Sequence, residues 1–122
     1  MDNAVSWNSE LPSGRNPFWV RDEAFLEIGL RPGEAVSVDT RREPTRGDLV
    51  VVELELDDES VRTIRRYFPE GQEVRLVAAN PTFPELRIAN DEIIVMGVVC
   101  ARLRYEEQDG GVKVTEEALG EP

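Results

Sequence analysis

The side chains able to do chemistry in this sequence are few. Histidine is absent, lysine occurs once, at Lys113, and cysteine once, at Cys100. The missing imidazole removes the Ser-His-Asp and Cys-His mechanisms and the commonest transition-metal ligand. A general base would have to be Lys, Asp, Glu or Tyr. Cys100 sits inside the apolar run IIVMGVVCARL with no cation adjacent to lower its pKa, which predicts a buried structural thiol. The hydroxyls of Ser6, Ser9, Ser13, Ser37, Thr40, Ser60 and Thr63 have no neutralisable lysine or histidine to activate them and read as turn or surface groups. Asp57 with Glu59, and Glu106 with Glu107, are paired carboxylates of the kind that metal or glycosidase chemistry uses, but acids clustered at hairpin tips are far more often solvated. No cofactor and no metal site is expected. There remain Arg62, Arg65 and Arg66. On a strand Arg65 points to one face and the other two to the opposite face, and pairing with local acids is the plain expectation.

The elements that would carry these residues are short strands. GEAVSVDT alternates after a Pro32-Gly33 turn, and Gly47 opens GDLVVVELELDDES with Val50, Val52, Leu54 and Leu56 on one face. Asp57, Asp58 and Glu59 form a hairpin tip from which SVRTIRRYF returns; PEGQ then turns into EVRLVAA. Pro81 and Pro84 bar regular pairing in NPTFPE, and LRIA follows. DEIIVMGVVCARLRY is too long for one ordinary strand, which predicts a bend at Gly97. The one helical candidate is DEAFLEIGL, of one or two turns, ended by Gly29 as a C-cap. The fold expected is mostly β, a partly closed barrel or coiled sheet with one short helical turn. It divides into an N-terminal arm over 1–17, a β domain over 18–105 and an acidic tail over 106–122.

Composition narrows the function classes. Hydrophobic residues are 40% and charged residues 32%, as in a water-soluble globular domain, and no apolar run is long enough to span a bilayer. The first residues show neither the basic nor the apolar region of a signal peptide, so the cytoplasm is the expected compartment and no membrane contact is expected. With 25 acidic residues against 14 basic ones and a net charge of −11, direct nucleic-acid binding is not expected either. The acidic tail YEEQDGGVKVTEEALGEP reads as a solvated, poorly ordered end.

Three blocks between Val20 and Arg104 resemble the C-terminal domain shared by LexA-type repressors, phage repressors and the UmuD mutagenesis protein. They are IGLRPGEAVSVD with RGDLVVVEL, then IRRYFPEGQEVRLVAANPTFPEL, then DEIIVMGVVCARLR. The resemblance implies a coiled β-sheet fold shared at a distance with signal peptidases, and a Ser-Lys dyad that cleaves the chain itself. The serine slot of that dyad falls on Ala24, within Asp22-Glu23-Ala24-Phe25, and the lysine slot on Arg65, with Arg62 as an alternative register. An alanine has no nucleophilic atom, and a guanidinium stays protonated near neutral pH and cannot be the base. The implied function is that of a catalytically inactive relative, a dimerisation or protein-interaction module with a regulatory role in transcription or the DNA-damage response.

In that setting Asp22, Glu23, Phe25 and Arg66 are candidate groove or partner contacts, and Arg65 is placed to receive a carboxylate. The homodimer expected from the resemblance would form through the apolar terminal strand. Two rivals stand beside this reading. One is an active serine peptidase with an unrecognised nucleophile. The other is an acidic regulator docking on basic patches of transcription or replication proteins, which salt would weaken.

Overall fold

The computed structural model describes residues 11–119. Eight strands build one antiparallel sheet: β1 (Asn16–Trp19), β2 (Ala35–Asp39), β3 (Leu49–Leu56), β4 (Glu59–Glu70), β5 (Glu73–Val77), β6 (Leu86–Ala89), β7 (Ile94–Gln108) and β8 (Gly111–Glu117). Their order is β1-β2-β7-β3-β4-β5-β6, with β8 pairing β7. The sheet does not close, and β1 and β6 are its ends. This is the mostly β architecture expected of the sequence, in its coiled-sheet form and not as a closed barrel.

β3 shows why the sheet coils. Val50, Val52 and Leu54 face one cluster, with Val74, Leu76 and Val98, while Leu49 and Val51 face another, with Phe18, Phe25, Val36 and Ile64. Both faces of the strand are therefore inside, which explains an unbroken valine run in place of strict alternation. Burying each such side chain stabilises the fold by about 1.5–3 kcal/mol. Only Leu56, at the hairpin end, departs from the expected apolar face, being 37% exposed. The turn after it is a two-residue one in which Asp57 and Asp58 both hold positive φ, 51° and 67°, the twist that a tight hairpin requires.

β7 is the axis of the fold. Val98 pairs with both Asp39 and Val50, and Arg102 with both Val36 and Glu117, so β2 runs along one edge while β3 and then β8 share the other. The expected bend is present as two register slips. Met96 is skipped opposite Val51 and Val52, and Cys100 opposite Ser37 and Val38. Gly97 stands where a Cβ would meet the Val38 side chain at 2.6 Å and the Asp39 carbonyl oxygen at 2.8 Å, so the strands cross too closely for any other residue.

Three expectations need correction. The tail is not loosely ordered through 106–122: β7 continues to Gln108 and β8 returns over Gly111–Glu117, with Glu106 opposite Lys113 and Tyr105 opposite Val114. The arm ends earlier than residue 17, since β1 begins at Asn16 and Leu11 is already buried against Ala35 and Leu103. The helical candidate is the single short turn expected, a 3-10 one over Leu26–Ile28, and Gly29 at φ 84° closes it. Cys100 is half-buried rather than buried, as a residue bulged out of the ladder, with Sγ 3.4 Å from the Val98 carbonyl oxygen. Ser6 and Ser9 lie outside the described residues.

Candidate functional site

Between β1 and the 3-10 turn the chain makes a tight bend at Asp22. Its Oδ1 accepts a hydrogen bond from the Ala24 backbone N–H at 3.0 Å, the local geometry that favours Asp in turns. The other side of the bend is held from a distance: the Ala24 carbonyl accepts from the N–H groups of Ala79 at 3.0 Å and Asn80 at 2.9 Å. Asn80 Nδ2 also donates to the Glu23 carbonyl at 3.2 Å. The loop between β5 and β6 thereby clamps the bend, and the Ala24 methyl is 0% exposed. Phe25 is buried in the core beside it, and Glu23 offers its backbone rather than its carboxylate.

Arg65, on β4, reaches into this corner and is 6% exposed. Its Nη1 donates toward Asp22 Oδ2 at 3.2 Å, Thr63 Oγ1 at 3.0 Å and the Ile64 carbonyl at 2.7 Å. Thr63 in turn donates to Asp22 Oδ2 at 2.8 Å. The guanidinium carbon lies 5.2 Å from the centre of the Phe83 ring. Nε is buried with no partner, and none of the described residues accepts from Nη2.

The structure thus brings Asp22, Ala24 and Arg65 into one network and leaves the other arginines outside it. Arg62 donates through Nε to Glu53 at 2.8 Å across the hairpin and lines an open polar groove of about 450 Å³ with Arg21, Glu59 and Ser60. Arg66 donates to the Gly47 carbonyl at 2.9 Å, where it ties β4 to the turn before β3. Of the two arginines, Arg65 is the one beside the Asp22 bend.

Thr63, Asn80 and Phe83 belong to the corner although the sequence marked Thr63 as a surface hydroxyl and gave the other two no role. Thr63 is two residues from Arg65 and so on the same side of a strand, which was the available signal. Nothing local announces Phe83, whose contact with Arg65 is long-range. Arg102 acts at the far end of the 3-10 turn: its Nη2 donates to the Ile28 carbonyl at 2.8 Å and fastens that end to β7.

Chemically, the arrangement offers a fixed cation, a carboxylate and one buried hydroxyl. The Thr63 hydroxyl faces Asp22, but a carboxylate is too weak a base to activate an alcohol efficiently, and Thr63 is only 4% exposed. Beneath the bend a water-sized void of about 10 Å³ lies between Val20, Asp22, Phe25, Leu30 and Thr63, too small for a substrate.

Comparison with known proteins agrees with the architecture. The family described as Peptidase S24-like matches residues 4–100. The LexA repressor of Ectopseudomonas mendocina is 33% identical over 87 residues, covering 70% of this chain and 41% of that protein. LexA repressor 1 of Pseudomonas syringae pv. tomato is 30% identical over 95 residues, covering 76% and 45%. The LexA repressor of a Ruegeria species is 27% identical over 85 residues, covering 70% and 34%. The chain spans less than half the length of these relatives. No helix among the described residues is long and apolar enough to cross a membrane.

Proposed function

Because the chain belongs to the Peptidase S24-like family, we propose that it is a member that associates rather than cleaves, and that it serves regulation of transcription or of the DNA-damage response. The observation that carries this is the corner itself. Ala24 contributes only a methyl group, fully buried, and the neighbouring cation is a guanidinium that cannot take a proton from a nucleophile. Phe83, Asn80 and Asp22 fill the space around it, so a peptide bond has no reacting partner to approach. The regulatory assignment rests on the relatives named LexA repressors.

Association is supported at β8, beside the far half of β7, though not through β7 itself, whose edges are occupied by β2, β3 and β8. Among the described residues β8 pairs only with β7, which leaves its outer edge unpaired. Val112 and Tyr105 are 60% and 38% exposed on the same ribbon, an apolar surface beside an open edge that a second copy of the chain would cover. A homodimer through β8 is the arrangement this favours.

One experiment tests both parts: light scattering and mass spectrometry on the full chain before and after incubation at alkaline pH. An intact chain of dimeric size is expected throughout. Specific fragments would reverse the non-cleaving reading, and a strictly monomeric species at high micromolar concentration would remove the dimer.

A further inference from the structure

Arg65 carries five N–H donors, and the protein uses them unevenly. Three acceptors crowd Nη1, whose two hydrogens cannot serve them all, while Nε is buried without a partner and Nη2 has none among the described residues. Asp22, the only carboxylate among the described residues paired with Arg65, is divided: Oδ1 takes the Ala24 N–H, and Oδ2 takes Thr63 as well as Arg65. The idle Nε–Nη2 edge is the planar pair of donors that matches two oxygens of a carboxylate side by side. We propose that this edge of Arg65 is a receptor for a carboxylate borne by a peptide, at a chain end or on an acidic side chain.

Phe83 favours a peptide over a free ion. Its half-buried ring lies against the guanidinium from the irregular loop over 78–85. A bare anion gains nothing from that ring, whereas an apolar side chain next to the carboxylate can pack against it. The inference deepens the non-cleaving reading and rests on it, because a peptide held here must leave intact.

The test follows the Arg65 Nε–H resonance of the full chain by ¹⁵N NMR during titration with an acetylated tripeptide bearing a free C-terminal carboxylate. The same peptide as its amide, and inorganic phosphate, are the controls. A saturable shift with the carboxylate, at least about tenfold weaker with the amide and with phosphate, is expected. For the variants, binding is read by calorimetry with the same tripeptide. Arg65→Lys keeps the charge but removes the paired edge, and it should weaken binding about tenfold or more. Asp22→Asn removes the competing charge while keeping the side chain's shape, and it should tighten binding several-fold; this variant decides the matter if Arg65→Lys fails to fold. No saturable shift, equal shifts with all three probes (an adventitious ion only), or unchanged affinity in Asp22→Asn would overturn the receptor. Mass spectrometry of the same samples is separate: tripeptide fragments would overturn the non-cleaving reading, and a shift without fragments supports the receptor.

Discussion

Arg65 on β4 and Arg75 on the neighbouring β5 each hold a guanidinium against a phenylalanine ring and beside a carboxylate, and there the likeness ends. Arg65 lies 5.2 Å from the Phe83 ring centre, and its one carboxylate partner among the described residues, Asp22, is 3.2 Å away. Arg75 lies 4.6 Å from the Phe68 ring centre and pairs with Glu70 at 2.9 Å and Glu85 at 3.3 Å. By contact geometry Arg75 has the better site. Yet its side chain is 26% exposed against 8% for Arg65, and water stands ready to replace every partner it could lose. Exposed ion pairs contribute about 0–1 kcal/mol, whereas stripping one member from a buried pair costs about 3–5 kcal/mol, because the charge left behind stays out of water. The poorer set of contacts is therefore the more consequential one.

The sharpest way to break that contrast is Asp22→Ala. It leaves Arg65 without its counter-ion and also orphans the Thr63 hydroxyl and the Ala24 N–H. Because Asp22 is itself 29% exposed, the expected loss is below the full range, about 2–3 kcal/mol, read as a lower urea midpoint at unchanged slope. A loss under about 1 kcal/mol would put the corner in the same class as the Arg75 network. Gly29→Ala comes next. Gly29 holds φ 84°, and an added Cβ there would run into Arg102 Nη2, the group that fastens the 3-10 turn through Ile28. Backbone strain and a displaced guanidinium together predict a loss of about 1–2 kcal/mol by the same measurement. Near-neutral behaviour would mean that this second guanidinium gives way without cost.

How much of this was legible before the coordinates follows the same division between local and distant causes. The strands β2 and β3, the Asp57-Asp58 tip and the end of the 3-10 turn at Gly29 are written in alternation and turn residues. The strand β8 was legible too, in Asp109-Gly110 between Tyr105 and the Val112/Val114 alternation, but the surrounding glutamates made an acidic composition outweigh a turn signal. The resemblance supplied the pairing of Ala24 with Arg65. What it could not supply is the clamp: Asn80, Phe83 and Thr63 reach the bend from separate strands and loops, and no spacing within one segment encodes such contacts. The slips at Met96 and Cys100 were half visible, since excess length called for a bend, while the crossing of β2 that fixes Gly97 was not.

The weakest effect belongs to Glu70, at the centre of the Arg75 network. Hydrogen bonds from Arg75 and then Arg87 hold its carboxyl below the ordinary carboxylate range. A carboxyl whose pKa is lowered on folding adds stability that is fully present above its unfolded value, near 4.5, and is lost as pH falls through the lower folded value. Glu70→Gln should therefore lower the urea midpoint slightly at neutral pH, and the gap between variant and parent should close in acid, below the folded value. Salt should narrow the same gap at neutral pH, because the pairs are open to solvent. If the gap instead matched that of Asp22→Ala, or ignored salt, exposure would not be what separates Arg75 from Arg65, and the difference between the two sites would have to lie in their contacts.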